Sequence, residues 1–585
     1  MMVRASRIGI HCRVNKFRSL PDLRQICRVF AGLLLAFATQ PSAPAQQAVT
    51  IHVNAAQRLA PFRPVYAYFG YDEPNYTYTK NGRKLIEELA ALTDTRVNIR
   101  THFLPATGDG AAEMKFGSTN AYTEDASGKA VYDWTVVDRI FDTYESVHAK
   151  PFVEVGFMPQ ALSSKPDPYH VPWIPGAANK DYAAGWSYPP SNYEKWGELV
   201  FQLAQHCAKR YGREEAESWY WEVWNEPNIF YWHGTTEEYE KLYDYAAAGL
   251  KRSLPKARVG GPATTGPSGK EAAKFLEDFL AHCADGKNFA TNGPGAPLDF
   301  ISYHAKGSPE MIDGHVRMAL ARSLGDVDAG LKIVATYPKF RNLPIILSEA
   351  DPEGCAACSA RLYPQNAYRN GPLYAAYTAA AMKGILDLSA KSANNVEGML
   401  TWAFEFEGQP YFDGLRTLAT NGVDKAVLNF FRMAGVMRGE RVEASSSGAI
   451  PVESILVKSV REKPDIDVLA SRDDHGVSVL VWNYSDEDIA AGNATVALQV
   501  NGVPREIGRV LVKHYRIDEA HSNSFGVWRA MGSPQQPTAS QKRQLEAAGQ
   551  LQLLESPSWL RDESGTVSIK FALPRQAVSL IRLDF

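Results

Sequence analysis

The stretch Trp219-Tyr-Trp-Glu-Val-Trp-Asn-Glu-Pro-Asn228 decides the fold. Its aromatic and β-branched residues read as a buried strand. Pro227 cannot donate to a sheet ladder and ends it, so Glu226 stands at the C-terminal end of the strand. Continued alternation would put Glu222, Trp224 and Glu226 on one face. A second run, Leu343-Pro-Ile-Ile-Leu-Ser-Glu349, also finishes in a carboxylate, with Asp351 and Glu353 close behind.

Working outward, six more apolar runs of strand length lie between residues 60 and 435. The full set is 65–69, 96–100, 151–157, 219–224, 258–261, 299–304, 344–348 and 396–402. Helical patterns separate most of them, at 193–211, 236–253, 270–283 and 373–388. Eight strands with interleaved helices predict an α/β fold, a parallel (β/α)8 barrel. A doubly wound open sheet is the alternative, but no Gly-x-Gly-x-x-Gly follows the first strand, which weakens its dinucleotide-binding form.

After residue 437 strand-like runs follow one another without long helices, at 467–470, 477–483, 494–500, 509–515, 566–572 and 577–584. This reads as a C-terminal β-sandwich. Residues 536–555 read as a helical or irregular insertion. The run at 49–53 pairs with the sandwich or caps the barrel bottom. The division is a signal peptide at 1–45, the barrel at 46–437 and the sandwich at 438–585.

The signal peptide rests on layout and charge. Residues 1–45 hold seven of the 62 Lys and Arg residues and one of the 65 Asp and Glu residues. An apolar run at 29–38 follows the basic stretch, and Ala43-Pro44-Ala45 offers a cleavage site. The run is shorter than the about 20 residues a spanning helix needs. Export to the periplasm or the extracellular space is the expectation, with no stable membrane insertion after cleavage. The remaining chain has 55 basic and 64 acidic residues, a net of −9, which argues against nucleic acid as the main partner. Four cysteines remain, Cys207, Cys283, Cys355 and Cys358. The Cys355-Ala-Ala-Cys358 pair reads as a local disulfide or two unpaired thiols rather than a redox centre, since no thioredoxin-like pattern surrounds it.

Carboxylates at the ends of the fourth and seventh strands lie on opposite sides of one barrel mouth and can face each other across a substrate. Aromatic walls beside such a group favour the neutral form that an acid catalyst needs. One carboxyl protonates a leaving oxygen while the other attacks an anomeric carbon. No metal signature and no phosphate-binding loop accompanies them, and this chemistry needs no cofactor.

Glu226 in Trp224-Asn-Glu-Pro-Asn228 and Glu349 in Ile346-Leu-Ser-Glu349 resemble the acid/base and nucleophile motifs of the retaining clan A glycosidases. More narrowly, residues 60–585 resemble glycoside hydrolase family 39, which holds β-xylosidases and α-L-iduronidases. Phe69-Gly-Tyr-Asp-Glu-Pro-Asn75, Arg100-Thr-His102, Asp299-Phe-Ile-Ser-Tyr-His-Ala-Lys-Gly307 and Thr401-Trp-Ala-Phe-Glu-Phe-Glu407 carry that narrower likeness, together with Tyr515-Arg-Ile-Asp518 and His521-Ser-Asn-Ser524.

The resemblance implies a retaining double displacement with catalytic Glu226 and Glu349. It implies that Asn225 bonds the sugar 2-hydroxyl, that His304 and, more weakly, His102 reach a sugar hydroxyl or the nucleophile, and that Trp402 floors the sugar. Lys306 and Arg416 resemble the two cations that iduronidases place on a substrate carboxylate. The expected substrate is a β-xyloside or xylo-oligosaccharide; an α-L-iduronide or other uronic-acid glycoside is the runner-up. A non-catalytic sugar-binding barrel and a transglycosidase are the remaining alternatives, and the oligomeric state is open.

Overall fold

The computed structural model describes residues 48–111, 117–172, 181–183, 185–355, 357–403, 407–504, 508–561 and 565–585. The expected signal peptide lies outside them. So do residues 404–406 of the last barrel motif.

After an opening strand β1 (Val49–Pro61), eight strands close a parallel barrel: β2 (Tyr68–Tyr71), β3 (Asn98–Thr101), β4 (Lys150–Val155), β5 (Tyr220–Val223), β6 (Arg258–Thr264), β7 (Phe300–His304), β8 (Pro344–Glu349) and β9 (Asn395–Trp402). One long helix follows each barrel strand: α1 (Lys80–Ala90), α2 (Thr135–Glu145), α3 (Tyr193–Tyr211), α4 (Thr236–Ser253), α5 (Lys270–Asp285), α6 (Leu320–Ala335), α7 (Pro372–Ser392) and α8 (Ala426–Val436). The (β/α)8 expectation holds, with all eight strands inside or overlapping the predicted runs. The first shifts most, because residues 65 and 66 form a turn before β2.

The helices start where the sequence supplies caps. Thr79 and Asn192 accept from backbone N–H groups of the first turns of α1 and α3, and Thr235 with Glu238 makes a capping box on α4. The barrel interior is filled in its lower part by Tyr68, Phe152, Tyr220, Phe300, Ile346 and Leu400, with Trp402 above them.

The C-terminal strands are β10 (Glu440–Ser446), β11 (Asp465–Asp473), β12 (Gly476–Tyr484), β13 (Ala494–Asn501), β14 (Arg509–Ile517), β15 (Thr566–Leu573) and β16 (Val578–Asp584). They pair in the order β14-β16-β12-β11-β10-β1-β13-β15. Residues from both ends of this path, including Val510, Val512, Val567 and Phe571, share one apolar core with Ile51 and Val479. The path therefore folds onto itself as a sandwich.

Of the two places expected for the run at 49–53, β1 takes the one in the sandwich. It pairs antiparallel with β10 and parallel with β13, with Val49 opposite Val496. Residues 49–61 join the sandwich sheet, and their alternating Ile51 and Val53 complete its core. The 536–555 insertion contains a helix at Ala539–Ala548, capped by Thr538 and Gln541. All nine residues of β12 are buried. One side of β12 faces the sandwich core and the other packs on the barrel, where Tyr484 meets Tyr377 of α7 edge-on at 5.8 Å.

Candidate active site

The C-terminal ends of the barrel strands open into a cavity of ≈ 850 Å³. Glu226, Glu349, Asn225, His304, His102, Lys306, Trp402 and Arg416 all line it. Every expected site residue is thus brought to one place. The position in each strand explains this: His304, Glu349 and Trp402 are the last residues of β7, β8 and β9, and His102 follows β3 directly.

Glu226 arrives differently. β5 stops at Val223, and Trp224 and Glu226 adopt left-handed backbone with φ of 71° and 45°. Such conformations are costly for residues with a Cβ and persist only where surrounding structure enforces them. Here the Glu226 N–H donates to Ala263 O at 2.9 Å and the Trp224 indole N–H to Tyr231 O at 3.1 Å. This overturns the simple alternation expected from sequence. Glu222 points into the barrel and Glu226 into the cavity, but the Trp224 ring packs with Phe157 and Trp232 instead of joining them.

The two glutamates meet at one imidazole. His304 Nδ1 is 2.8 Å from Glu226 Oε1, and its Nε2 is 3.8 Å from Glu349 Oε1. Burial would raise the pKa of Glu349. Lys306, His304, Arg416 and Arg100 outweigh it and hold the carboxyl well below the usual range. Lys306 Nζ sits directly on Glu349 Oε2, and Arg416 Nη2 and Arg100 Nη1 each stand 3.5 Å from the carboxylate.

Arg100 is fully buried inside the barrel. Its Nε donates to Glu222 at 2.6 Å and its Nη2 to Asn225 Oδ1 at 2.9 Å, with Glu154 3.0 Å away. This fixes the Asn225 amide so that its nitrogen is the end left for a ligand. His102 lies between two acids, with Nδ1 2.6 Å from Asp72 and Nε2 3.0 Å from Glu154. Burial alone would lower its pKa. Glu154 and Asp72 instead push it up to about 9, so both ring nitrogens carry protons at neutral pH. Both point at carboxylates, and what His102 offers the cavity is its ring.

Trp402 forms a deep wall, 1% exposed. The Arg416 guanidinium carbon lies 4.6 Å from its ring centre, Lys306 Nζ 5.8 Å, and the His102 ring meets it edge-on at 5.7 Å. Among the described residues its buried indole N–H has no acceptor. Arg416 also donates to Glu353 O at 2.7 Å and lies 3.4 Å from Asp351.

Cys355 and Cys358 are disulfide-bonded and line the same cavity, while Cys207 and Cys283 are separate buried thiols. Sequence reasoning did not single out Asp72, Tyr169, Phe230, Tyr231 or Glu154, and it placed Glu222 by strand alternation without a role. Asp72 sits within a quoted motif and Phe230-Tyr231 just beyond Asn228; the buried charges are visible only as acidic breaks in apolar strands. Among the described residues no group of three or more His, Cys, Asp or Glu is arranged to hold a metal ion, and no helix is long and apolar enough to cross a membrane.

A (β/α)8 barrel with paired carboxylates at its C-terminal mouth is the architecture of a glycoside hydrolase. Residues 51–560 match the model of glycosyl hydrolases family 39, and the chain belongs to that family. It is 30% identical to a β-xylosidase of Caldicellulosiruptor saccharolyticus, over 72% of this chain and 77% of that protein. It is 26% identical to the human α-L-iduronidase, over 90% of this chain and 77% of that one. The crystal structure of a monomeric β-xylosidase from Caulobacter crescentus CB15 superposes with a TM-score of 0.70 at 22% identity, covering 92% of this chain and 99% of that one.

Proposed function

We propose that this glycoside hydrolase is a retaining β-xylosidase acting on xylo-oligosaccharides, with Glu226 as acid/base and Glu349 as nucleophile. The observation that carries the proposal is the shared imidazole, which seats both carboxylates on one cavity. Glu349 attacks the anomeric carbon as Glu226 gives its proton to the departing oxygen, and the electrons of the broken C–O bond go to that oxygen. Glu226 then takes a proton from water. The water oxygen bonds to the anomeric carbon, and the ester electrons return to Glu349. The cations around Glu349 keep it ionised before attack and stabilise it as the leaving group of the second step.

Trp402 offers its face and indole N–H to the sugar, and Asn225 its amide nitrogen. The xyloside reading is favoured over a uronide because Lys306 and Arg416 already have carboxylate partners in Glu349 and Asp351. The uronide reading keeps a specific support, since both cations line the cavity beside Trp402. Aryl β-D-xyloside and aryl α-L-iduronide assayed side by side separate the two.

The glutamate roles are tested directly. Glu349→Ala should abolish turnover, with azide restoring it and giving a glycosyl azide of inverted configuration. Glu226→Ala should cost a natural xylo-oligosaccharide about 10²–10⁴-fold while largely sparing activated aryl glycosides. Full activity of both variants on the oligosaccharide would overturn the assignment. Export to the periplasm or beyond is part of the proposal. Its support is the basic, apolar and small-residue order of residues 1–45, and the N-terminal sequence of the mature protein tests it.

A further inference from the structure

The cavity does not end at the two carboxylates. Its rim carries Phe230, Leu362 and Tyr363, which are 55%, 60% and 44% exposed. Ten large apolar side chains are exposed among the described residues, and three of them gather on this one cavity. Scattered singly they would need no explanation, but three on the rim of one cleft mark a binding surface.

Each is held in place. Phe230 stacks on Tyr169 with ring centres 6.0 Å apart and planes 12° from parallel, and lies 4.6 Å from the Tyr231 ring. Leu362 and Tyr363 sit on a turn that donates two backbone N–H groups to Ser359 O, at 3.1 and 2.8 Å. Between them and Ser359, Arg361 is ion-paired to Asp413.

The side on which Phe230 lies follows from the chemistry. A general acid must touch the leaving oxygen, so the leaving group passes Glu226 on its way out. Phe230 stands four residues beyond Glu226, on the exposed rim. The deep part of the cavity, with Trp402, Asn225, Lys306 and Arg416, is polar and charged; the three exposed apolar side chains lie farther out, with Thr265, Ser268 and Arg322 also lining the cavity. Two polar rim groups are already engaged: Ser268 Oγ bonds Asp326, and Thr265 Oγ1 accepts from Asn228 at 2.7 Å.

We propose that Phe230, Leu362 and Tyr363 form a leaving-group subsite that takes an alkyl or aryl aglycone as well as the second sugar of a xylo-oligosaccharide. The inference rests on the glycosidase reading of Glu226 and Glu349. An apolar leaving group removes these three side chains from water.

A series of methyl, butyl and hexyl β-D-xylosides tests it. These alcohols have similar acidity, so the demand on Glu226 is constant and only apolar area changes. We expect kcat/KM to rise about tenfold or more from methyl to hexyl. The Phe230→Ala/Leu362→Ala double variant should bring the hexyl-to-methyl ratio to within about twofold of one. A flat series in the unsubstituted enzyme or an unchanged ratio in the variant would each overturn the subsite. Failure of the substrate reading is separate: if p-nitrophenyl β-D-xyloside is not cleaved, the same series is built on the glycone that is. Cleavage of no glycoside would overturn both.

Discussion

His304 Nδ1 stands 2.8 Å from the Glu226 carboxylate, and the same ring reaches toward Glu349 with its other nitrogen. Glu226 is the more exposed of the two, at 14% of its side chain against 6%. His304 is the only basic side chain in ion-pair range of Glu226 among the described residues, whereas Glu349 has four. His304→Ala should therefore release Glu226 more than Glu349. The expected loss is about 10²-fold in kcat with a smaller change in KM, because proton delivery depends on the position of the acid. Steady-state kinetics beside a thermal melt separate this from misfolding; a variant with unchanged kcat would remove His304 from the positioning of Glu226.

Lys306 is the strongest of the cations that hold Glu349 ionised against burial. Activity that needs this carboxylate is lost as pH falls through its pKa. Replacing Lys306 by Met removes an opposite charge, which makes protonation easier and raises that pKa. The acid limb of kcat/KM should move to higher pH, while turnover at neutral pH on a neutral glycoside is reduced but not abolished. A pH–rate profile whose acid limb stays in place would show that Lys306 does not set the ionisation of Glu349.

Much of this arrangement was legible in the sequence, for identifiable reasons. Barrel strands are buried on both faces, so they read as short continuous apolar runs. Catalytic side chains sit where such runs stop, and Pro227 and the Glu349-Ala-Asp-Pro352 segment mark two of those stops. What stayed hidden depends on distance or on local backbone. β13, one of the two partners of β1, lies more than 440 residues away, across the Val49–Val496 register, so the sequence left this run open between the sandwich and the barrel bottom. The left-handed turn at Trp224 has no glycine to announce it. Arg100 was visible as part of a motif, but only the closed barrel brings it to Glu154, Glu222 and Glu349.

Arg100 is the neutralising centre of that interior cluster. It has no solvent exposure, and Glu154 and Glu222 beside it have none either. Removing one partner of a buried ionic cluster leaves uncompensated charge, at a cost of about 3–5 kcal/mol. Arg100→Met should lower stability by about that amount in denaturant melts. It should also lose activity, because Asn225 and Glu349 lose a contact together. Arg100→Lys keeps one charge but cannot reproduce the forked bonds to Glu222 and Asn225, and should recover only part of the stability. A cost below about 1 kcal/mol for the Met variant would mean the acids are neutral in the fold.

Where the sandwich meets the barrel, Asp465 gives stability a pH dependence of defined sign. It is almost fully buried, accepts from the Trp482 indole N–H and the Ile450 backbone N–H at 2.8 Å each, and faces Asp467, with Lys383 of α7 nearby. Burial first and Asp467 second push its pKa up to about 7, against 3.8 for an ordinary Asp side chain. Between those two pH values the unfolded chain has released a proton that the folded chain still holds. The contribution of Asp465 to stability is therefore full at low pH, falls as pH rises toward 7, and is flat above it. Asp465→Asn keeps a neutral group of similar shape throughout. The difference in melting temperature between the variant and the unsubstituted protein should shift in favour of the variant from pH 4.5 to pH 8. The underlying change is bounded at about 4 kcal/mol. Thermal melts of both proteins across that range decide it, and a difference that does not vary with pH would mean Asp465 is ionised in the folded protein well below neutrality.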